Sequence, residues 1–254
     1  MKKYVQEATD INIWTSIKNN TFERNKDIKE FIDGLELIDE SACISLDAKW
    51  GDGKTFFVRQ IEEVLKYVLA NQRADEENPI EKIPSYEYLK DNEMMAKIDL
   101  KHSYLPIYYN AWMYDNHSDP LMSLLLVMTK TCKGVYDTKI DSEKISEKLI
   151  KALSTLPISL GEFKMNPFTV AEKLQVKKVD ILSLVQTEEE IRERVKGIFN
   201  DIIVERAQKL IIFIDELDRC RPSFAIEMLE RIKHYFDDER VILKVRKMQL
   251  INSV

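Results

Sequence analysis

Residues 45–56 read SLDAKWGDGKTF, and this glycine-containing stretch decides how the rest of the chain is interpreted. It follows a short apolar run at 42–44 and precedes a long amphipathic segment, which is the order strand, loop, helix. Gly51 and Gly53 allow backbone conformations closed to other residues, and they let main-chain N–H groups approach a ligand closely. Because N–H groups at a helix N-terminus attract anions, the stretch predicts a phosphate-binding site.

Two side chains at the start of the predicted helix have the chemistry that a bound nucleotide requires. Lys54 supplies a mobile positive charge for the outer phosphates, and the Thr55 hydroxyl can ligate Mg²⁺. The phosphate-loop pattern is Gly, four residues and then Gly-Lys-Ser/Thr, and Ala48 stands where the first Gly belongs. The alternative interpretation is a chance Gly-Lys-Thr on a surface turn.

A second stretch, residues 210–222, reads LIIFIDELDRCRP and supports the phosphate interpretation. An apolar run without alternation is typical of a strand buried on both faces of a parallel sheet. Acidic residues at its carboxyl end lie where ligands bind in open α/β sheets. We expect Asp215 to hold Mg²⁺, directly or through water, and Glu216 to polarise an attacking water. The alternative is a core strand followed by a charged turn without chemistry.

Composition excludes several other classes of protein. The chain has 254 residues, is 44% hydrophobic and 32% charged, and carries a net charge of -6. This charge does not indicate a general nucleic-acid binder, and we expect no clear nucleic-acid binding. Three cysteines give no disulfide framework, which is typical of a cytoplasmic protein, and Cys43 and Cys220 are expected in or near the core. The three histidines stand in unrelated contexts and predict no metal site.

No transmembrane segment is predicted. The longest apolar candidate, residues 121–128, is far shorter than the roughly 20 residues that cross a bilayer. The N-terminus also lacks the apolar segment of a signal peptide.

Apolar spacing outlines the remaining elements. We expect a helix within residues 4–40 that leads into the first strand, with Phe22 on its apolar face. A second buried strand is predicted at 104–110 and a helix from Asp119-Pro120, because Asp caps helices and Pro suits their first position. A helical insertion is expected around residues 136–186. A capping box at 187–190 predicts the start of a further helix, and another helix is expected after Pro222.

Three motifs together resemble the KAP family of P-loop NTPases. They are WGDGKT at 50–55, YNAW at 109–112 and IDELDRCRP at 214–222. That family is marked by a Trp inside the phosphate loop, an Asn-Ala-Trp after the next strand, and an acid strand ending in a motif of this kind. The resemblance covers roughly residues 30–252, and the combination is more specific than any single motif.

The resemblance implies a fold, an activity and a set of site residues. The fold would be a single α/β domain over residues 1–254, a three-layer P-loop NTPase core with a parallel sheet, an additional central strand and helical insertions. The activity would be Mg²⁺-dependent ATP hydrolysis that drives a conformational or assembly change. Bacterial members are often tied to phage exclusion, so anti-phage defence is the expected biology. The implied residues are Trp50, Gly51, Asp52, Gly53, Lys54, Thr55 and Phe56 for the nucleotide, Thr55 and Asp215 for the metal, and Glu216, Lys54 and Arg219 for catalysis.

Arg219 is expected to stabilise charge in its own site or in a neighbour's, and the alternative is a structural ion pair with Asp218.

A further strand at 241–247 is expected between the phosphate-loop strand and the acid strand, although Lys244 and Arg246 would share one of its faces. The sequence stops at Val254, before the family's last core strand and helical lid.

An open sheet edge is therefore expected, and a homo-oligomer or a protein partner would cover it. Two function classes stay open: an ATPase, and a non-catalytic, nucleotide-dependent interaction module or regulator.

Overall fold

The computed structural model describes residues 7–39, 42–46, 52–75, 79–116, 120–135, 197, 207–235 and 241–246. The helices in these residues are α1 (Asp10–Lys18), α2 (Arg24–Leu35), α3 (Lys54–Gln72), α4 (Tyr86–Leu89), α5 (Pro120–Val135) and α6 (Pro222–Tyr235). The strands are β1 (Ala42–Leu46), β2 (Tyr104–Asn110), β3 (Lys209–Asp215) and β4 (Val241–Arg246). Short 3₁₀ turns occur at Thr21–Glu23, Ile80–Lys82, Met95–Lys97, Ala111–Tyr114 and Leu217–Arg219.

The strands form one parallel sheet in the order β1-β4-β3-β2. β4 lies between β1 and β3, and Lys244 is opposite Ile44 of β1 on one side and Phe213 of β3 on the other. This confirms the predicted place of the strand near 241, and the α/β fold class is confirmed with it. β3 is buried along its whole length, as its uninterrupted apolar run predicted. Within the described sheet, β1 and β2 are the outer strands.

The N-terminal segment differs from the single helix expected there. It forms α1 and α2, joined by a turn in which Asn20, Phe22 and Glu23 have φ values of 48°, 60° and 57°. These left-handed conformations end α1 and redirect the chain, because a right-handed helix cannot continue through them. The Phe22 side chain is 84% exposed rather than on an apolar helix face, so that expectation was wrong.

The first compact unit comprises Met1–Tyr109, Arg206–Asp218 and Asp238–Val254. Its core contains the predicted apolar face of α3, including Ile61, Val64 and Leu65, which are at most 1% exposed. α1 and α2 both pack on α3. A buried polar contact accompanies α1, since Gln60 Nε2 donates a hydrogen bond to Ser16 Oγ at 2.8 Å.

The second compact unit comprises Asn110–Glu205 and Arg219–Asp237. α5 and α6 pack against each other within it. The buried residues of the two helices include Leu124, Leu125, Met128, Phe224, Ala225, Met228 and Ile232. Both helices begin at a proline, Pro120 and Pro222, which suits a first helical position because the missing N–H would have no acceptor there. The predicted insertion at 136–186 and the capping box at 187–190 lie outside the described residues.

The two described cysteines have different environments. Cys220 is buried, as expected, whereas Cys43 is exposed, so the expectation that Cys43 lies in or near the core was wrong. Among the described residues, no helix has both the length and the apolar character that a membrane crossing requires.

Candidate functional site

The glycine-containing stretch ends in a tight turn that starts α3. Gly53 has a φ of 76°, in the left-handed region that favours glycine, and α3 begins at Lys54. A Cβ added to Gly53 would lie 3.2 Å from both terminal nitrogens of Arg24, so a larger residue would be both strained and crowded. Because the first N–H groups of an α-helix have no acceptor within the helix, the start of α3 offers an anion site.

Arg24, the first residue of α2, holds this turn. Its Nη2 donates a hydrogen bond to the Asp52 carbonyl at 2.8 Å, and its Nη1 donates to the Gly53 carbonyl at 3.3 Å. In a trans peptide the C=O and N–H groups point in opposite directions. The two carbonyls that face Arg24 therefore turn the N–H groups of Gly53 and Lys54 away from it, and successive N–H groups oriented in this way form an anion-binding turn.

The carboxyl end of β3 presents two consecutive acids. Asp215 is 3% exposed; its Oδ1 accepts a hydrogen bond from the Glu216 N–H at 2.9 Å, and its Oδ2 accepts from the Tyr108 hydroxyl at 3.0 Å. Glu216 has a φ of 59°, a conformation that costs a non-glycine residue about 1–2 kcal/mol. The left-handed conformation of Glu216 ends the regular alternation of side chains along β3. In a continuing strand, the Asp215 and Glu216 side chains would point to opposite faces of the sheet.

The start of α3 meets the end of β3. Thr55 Oγ1 lies 3.5 Å from Glu216 Oε1, although the two residues are 161 positions apart in the sequence. One helical turn after Thr55 and on the same face of α3, Arg59 places its guanidinium carbon 4.8 Å from the centre of the Tyr108 ring. The structure therefore brings Thr55 of α3 close to Glu216, while Asp215, the neighbour of Glu216, contacts Tyr108.

Burial and charge fix the protonation of the groups beside Asp215. Burial raises the pKa of Tyr108 far above its ordinary value, and the charge of Asp215 and the hydrogen bond to it raise this pKa further. The phenol therefore keeps its proton and donates a hydrogen bond to the carboxylate. Burial would lower the pKa of Arg59, but the nearby carboxylates of Glu62, Glu63 and Asp10 outweigh that effect and raise it. Arg59 consequently stays charged.

The donor atoms at this site fit Mg²⁺ bound together with phosphates. A hydroxyl from Thr55 and a carboxylate from Asp215 are hard oxygen ligands, which Mg²⁺ prefers. Within the described ranges, no group of three or more His, Cys, Asp or Glu side chains could hold a metal alone. Mg²⁺ is usually held by one or two carboxylates plus substrate phosphates, so this sparse oxygen set is appropriate for it.

The second unit contains the Asn-Ala-Trp motif and Arg219. Asn110 Oδ1 accepts a hydrogen bond from the Met113 N–H at 3.3 Å and so caps the 3₁₀ turn after β2. Trp112 is 55% exposed, and the Arg219 guanidinium carbon lies 5.6 Å from the centre of its ring. Two motifs that are remote in sequence therefore meet through a cation–π contact, which is a structural role for Arg219 beside the predicted catalytic one.

The remaining predicted nucleotide-binding residues are placed as follows. Trp50 and Gly51 lie outside the described residues, as does Ala48. Asp52 is exposed, and its carbonyl is the acceptor for Arg24. Phe56 is partly buried and packs against the core of the first unit.

Three residues near the site were not found by sequence reasoning: Arg24, Arg59 and Tyr108. Arg24 stands in a charged segment without a recognisable motif. Arg59 looked like any polar residue of an amphipathic helix. Tyr108 was counted only as part of an apolar strand, although a hydroxyl in a buried strand needs a hydrogen-bond partner and could have drawn attention.

A parallel sheet in this order, with a glycine turn opening α3 and paired acids ending β3, defines an α/β domain of the P-loop NTPase class. Comparison with protein families supports the same conclusion, because the model of the KAP family P-loop domain matches residues 24–246. The chain belongs to the KAP family, as the three motifs predicted. Membership of this family indicates nucleotide binding and hydrolysis. No curated protein matches the chain.

Proposed function

We propose that this protein binds ATP with Mg²⁺ at the start of α3 and hydrolyses it. The observation that carries the proposal is the approach of Thr55 to Glu216, at 3.5 Å, which joins the phosphate-loop helix to the acidic end of β3. The two alternatives, a chance Gly-Lys-Thr and a charged turn without chemistry, do not account for this approach, because neither requires the two segments to meet.

Each residue has a role that follows from its position. The N–H groups at the start of α3 and the Lys54 ammonium bind the phosphates. The Thr55 hydroxyl and the Asp215 carboxylate would hold Mg²⁺, which when bound neutralises phosphate charge. Glu216 accepts a hydrogen bond from the attacking water and orients it. Arg219 would stabilise charge, in this chain or in a neighbour's site.

The test is ATP binding and turnover by the purified protein with Mg²⁺, beside Lys54→Ala and Glu216→Gln. Lys54→Ala should weaken binding about 10–100-fold, since a hydrogen bond to a charged group contributes about 1.5–3 kcal/mol. Lys26→Ala is the matched control, because Lys26 is an exposed lysine paired only with Glu30 in the described contacts. Glu216→Gln should spare binding and lower turnover at least about 100-fold. Binding unaffected by Lys54→Ala would refute the site.

A second candidate function is a non-catalytic, nucleotide-dependent interaction module. Trp112 and Met113 are neighbours in the sequence and are 55% and 72% exposed, which favours it because contiguous exposed apolar surface marks partner contacts. Two results together would support this function. The wild type would bind ATP without turning it over, and the Glu216→Gln variant would keep the biological effect. An oligomer or a partner at the outer strand β1 and a role in anti-phage defence stay predictions.

A further inference from the structure

Tyr108 stands in a position that controls the orientation of Asp215. A carboxylate at the end of a strand can rotate about its last torsion, which has a broad energy profile. In this protein both oxygens of Asp215 accept hydrogen bonds, one from the Glu216 N–H at 2.9 Å and one from the Tyr108 hydroxyl at 3.0 Å. Rotation would break both bonds inside a buried environment, so the remaining lone pairs keep a single direction.

The Tyr108 ring is held in turn from α3. Arg59 lies over the ring at 4.8 Å, and its Nη2 forms an ion pair with Asp10 of α1 at 2.8 Å. Glu62 pairs with the other terminal nitrogen of Arg59. Both terminal nitrogens of Arg59 are therefore held by carboxylates, and the guanidinium can keep the Tyr108 ring in place.

We propose that Tyr108 is a positioning residue that sets the Asp215 carboxylate for Mg²⁺, with Arg59 holding the Tyr108 ring. This inference rests on the proposed function of the same site. It adds a residue from β2 to a site whose other parts come from α3 and β3. Its expected signature is weaker metal binding rather than weaker nucleotide binding, since in the described contacts the Tyr108 hydroxyl donates to the Asp215 carboxylate.

The test substitution is Tyr108→Phe, which removes the hydroxyl and keeps the ring beneath Arg59. Removing the hydrogen-bond partner of a metal-holding side chain typically weakens metal binding about 10–100-fold, and we expect about tenfold here. Nucleotide affinity in EDTA should be unchanged.

The matched control is Tyr104→Phe. Tyr104 lies on the same face of β2, because side chains four positions apart in a strand share a face. Its hydroxyl is also buried and donates to a main-chain oxygen, that of Leu35, at 3.1 Å. The control therefore loses a comparable hydrogen bond without touching Asp215, and its metal affinity should equal that of the wild type.

Mn²⁺ and the non-hydrolysable analogue AMPPNP are the probes, with protein in excess so that all nucleotide is bound. Free Mn²⁺ is read from its paramagnetic resonance signal, and AMPPNP affinity in EDTA is measured by calorimetry. Weaker Mn²⁺ binding in Tyr108→Phe alone supports the proposal. Equal Mn²⁺ binding in Tyr108→Phe and wild type overturns it, as does an equal loss in Tyr104→Phe or a loss of AMPPNP binding in EDTA.

A double variant tests the route of the effect. If Tyr108 acts through Asp215, then adding Tyr108→Phe to Asp215→Asn should not weaken Mn²⁺ binding any further, whereas an additional tenfold loss would overturn the proposal. Wild-type protein that fails to bind AMPPNP would instead refute the proposed function itself, so the two failures are distinguishable.

Discussion

Arg24→Ala should loosen the phosphate turn and weaken nucleotide binding without unfolding the protein. Arg24 donates to the Asp52 carbonyl at 2.8 Å and to the Gly53 carbonyl at 3.3 Å. Hydrogen bonds from a charged donor contribute about 1.5–3 kcal/mol each when buried and well formed. Because the first contact is exposed and the second is long, we expect about 1–1.5 kcal/mol for the pair, or about a 5- to 10-fold higher Kd.

The assay is a fluorescence titration with a ribose-labelled ATP in Mg²⁺, together with a thermal melt of each variant. Lys26→Ala again provides the control, because it removes a positive charge from the same helix without contacting the turn. Arg24→Lys separates charge from tethering. Lysine keeps the charge but lacks the planar fork that reaches two carbonyls, so it should recover less than half of the lost affinity.

Two results would refute this reasoning. A Kd for Arg24→Ala within twofold of the wild type would mean that the turn keeps its shape without the tether. A fully restored Kd in Arg24→Lys would mean that positive charge alone, rather than the orientation of the two carbonyls, supports binding.

Three further predictions concern backbone strain and pH. At position 216, where φ is 59°, Gly should be more stable than Ala by about 1 kcal/mol in chemical denaturation, and equal stabilities would remove the argument for strain. Phe22→Gly should likewise stabilise the protein by about 1 kcal/mol, because φ is 60° and the exposed ring loses little packing; a lower melting temperature would contradict this. Burial raises the pKa of Glu36, but the nearby Tyr104 hydroxyl and the hydrogen bonds from His102 outweigh this effect and leave the pKa below its ordinary value. The ionised Glu36 side chain therefore stabilises the fold above its unfolded-state pKa, and Glu36→Gln should lower the melting temperature at pH 7. This difference should shrink as the pH falls through the folded-state pKa of Glu36. A difference that does not change with pH would contradict the assignment.

Strand β3 and helix α3 could be predicted because the sequence pattern of each one is local. β3 is apolar at successive positions and is buried along its length, and the apolar face of α3 repeats at helical spacing. The failure at Phe22 has an equally local cause. The spacing of apolar residues does not reveal which residues have a left-handed backbone conformation. A non-glycine residue adopts that conformation only where surrounding contacts hold it.

Residue type and spacing were enough to predict the glycine turn before α3, the acidic end of β3 and the family, because they set backbone conformation and chemistry within a short segment. Only the tertiary structure decided that Arg24 holds the turn and that Tyr108 meets Asp215 from 107 positions away. It also decided that Glu216 turns back toward Thr55. Such contacts depend on how helices and strands pack against each other, and packing joins residues whose separation in the chain carries no periodic signal.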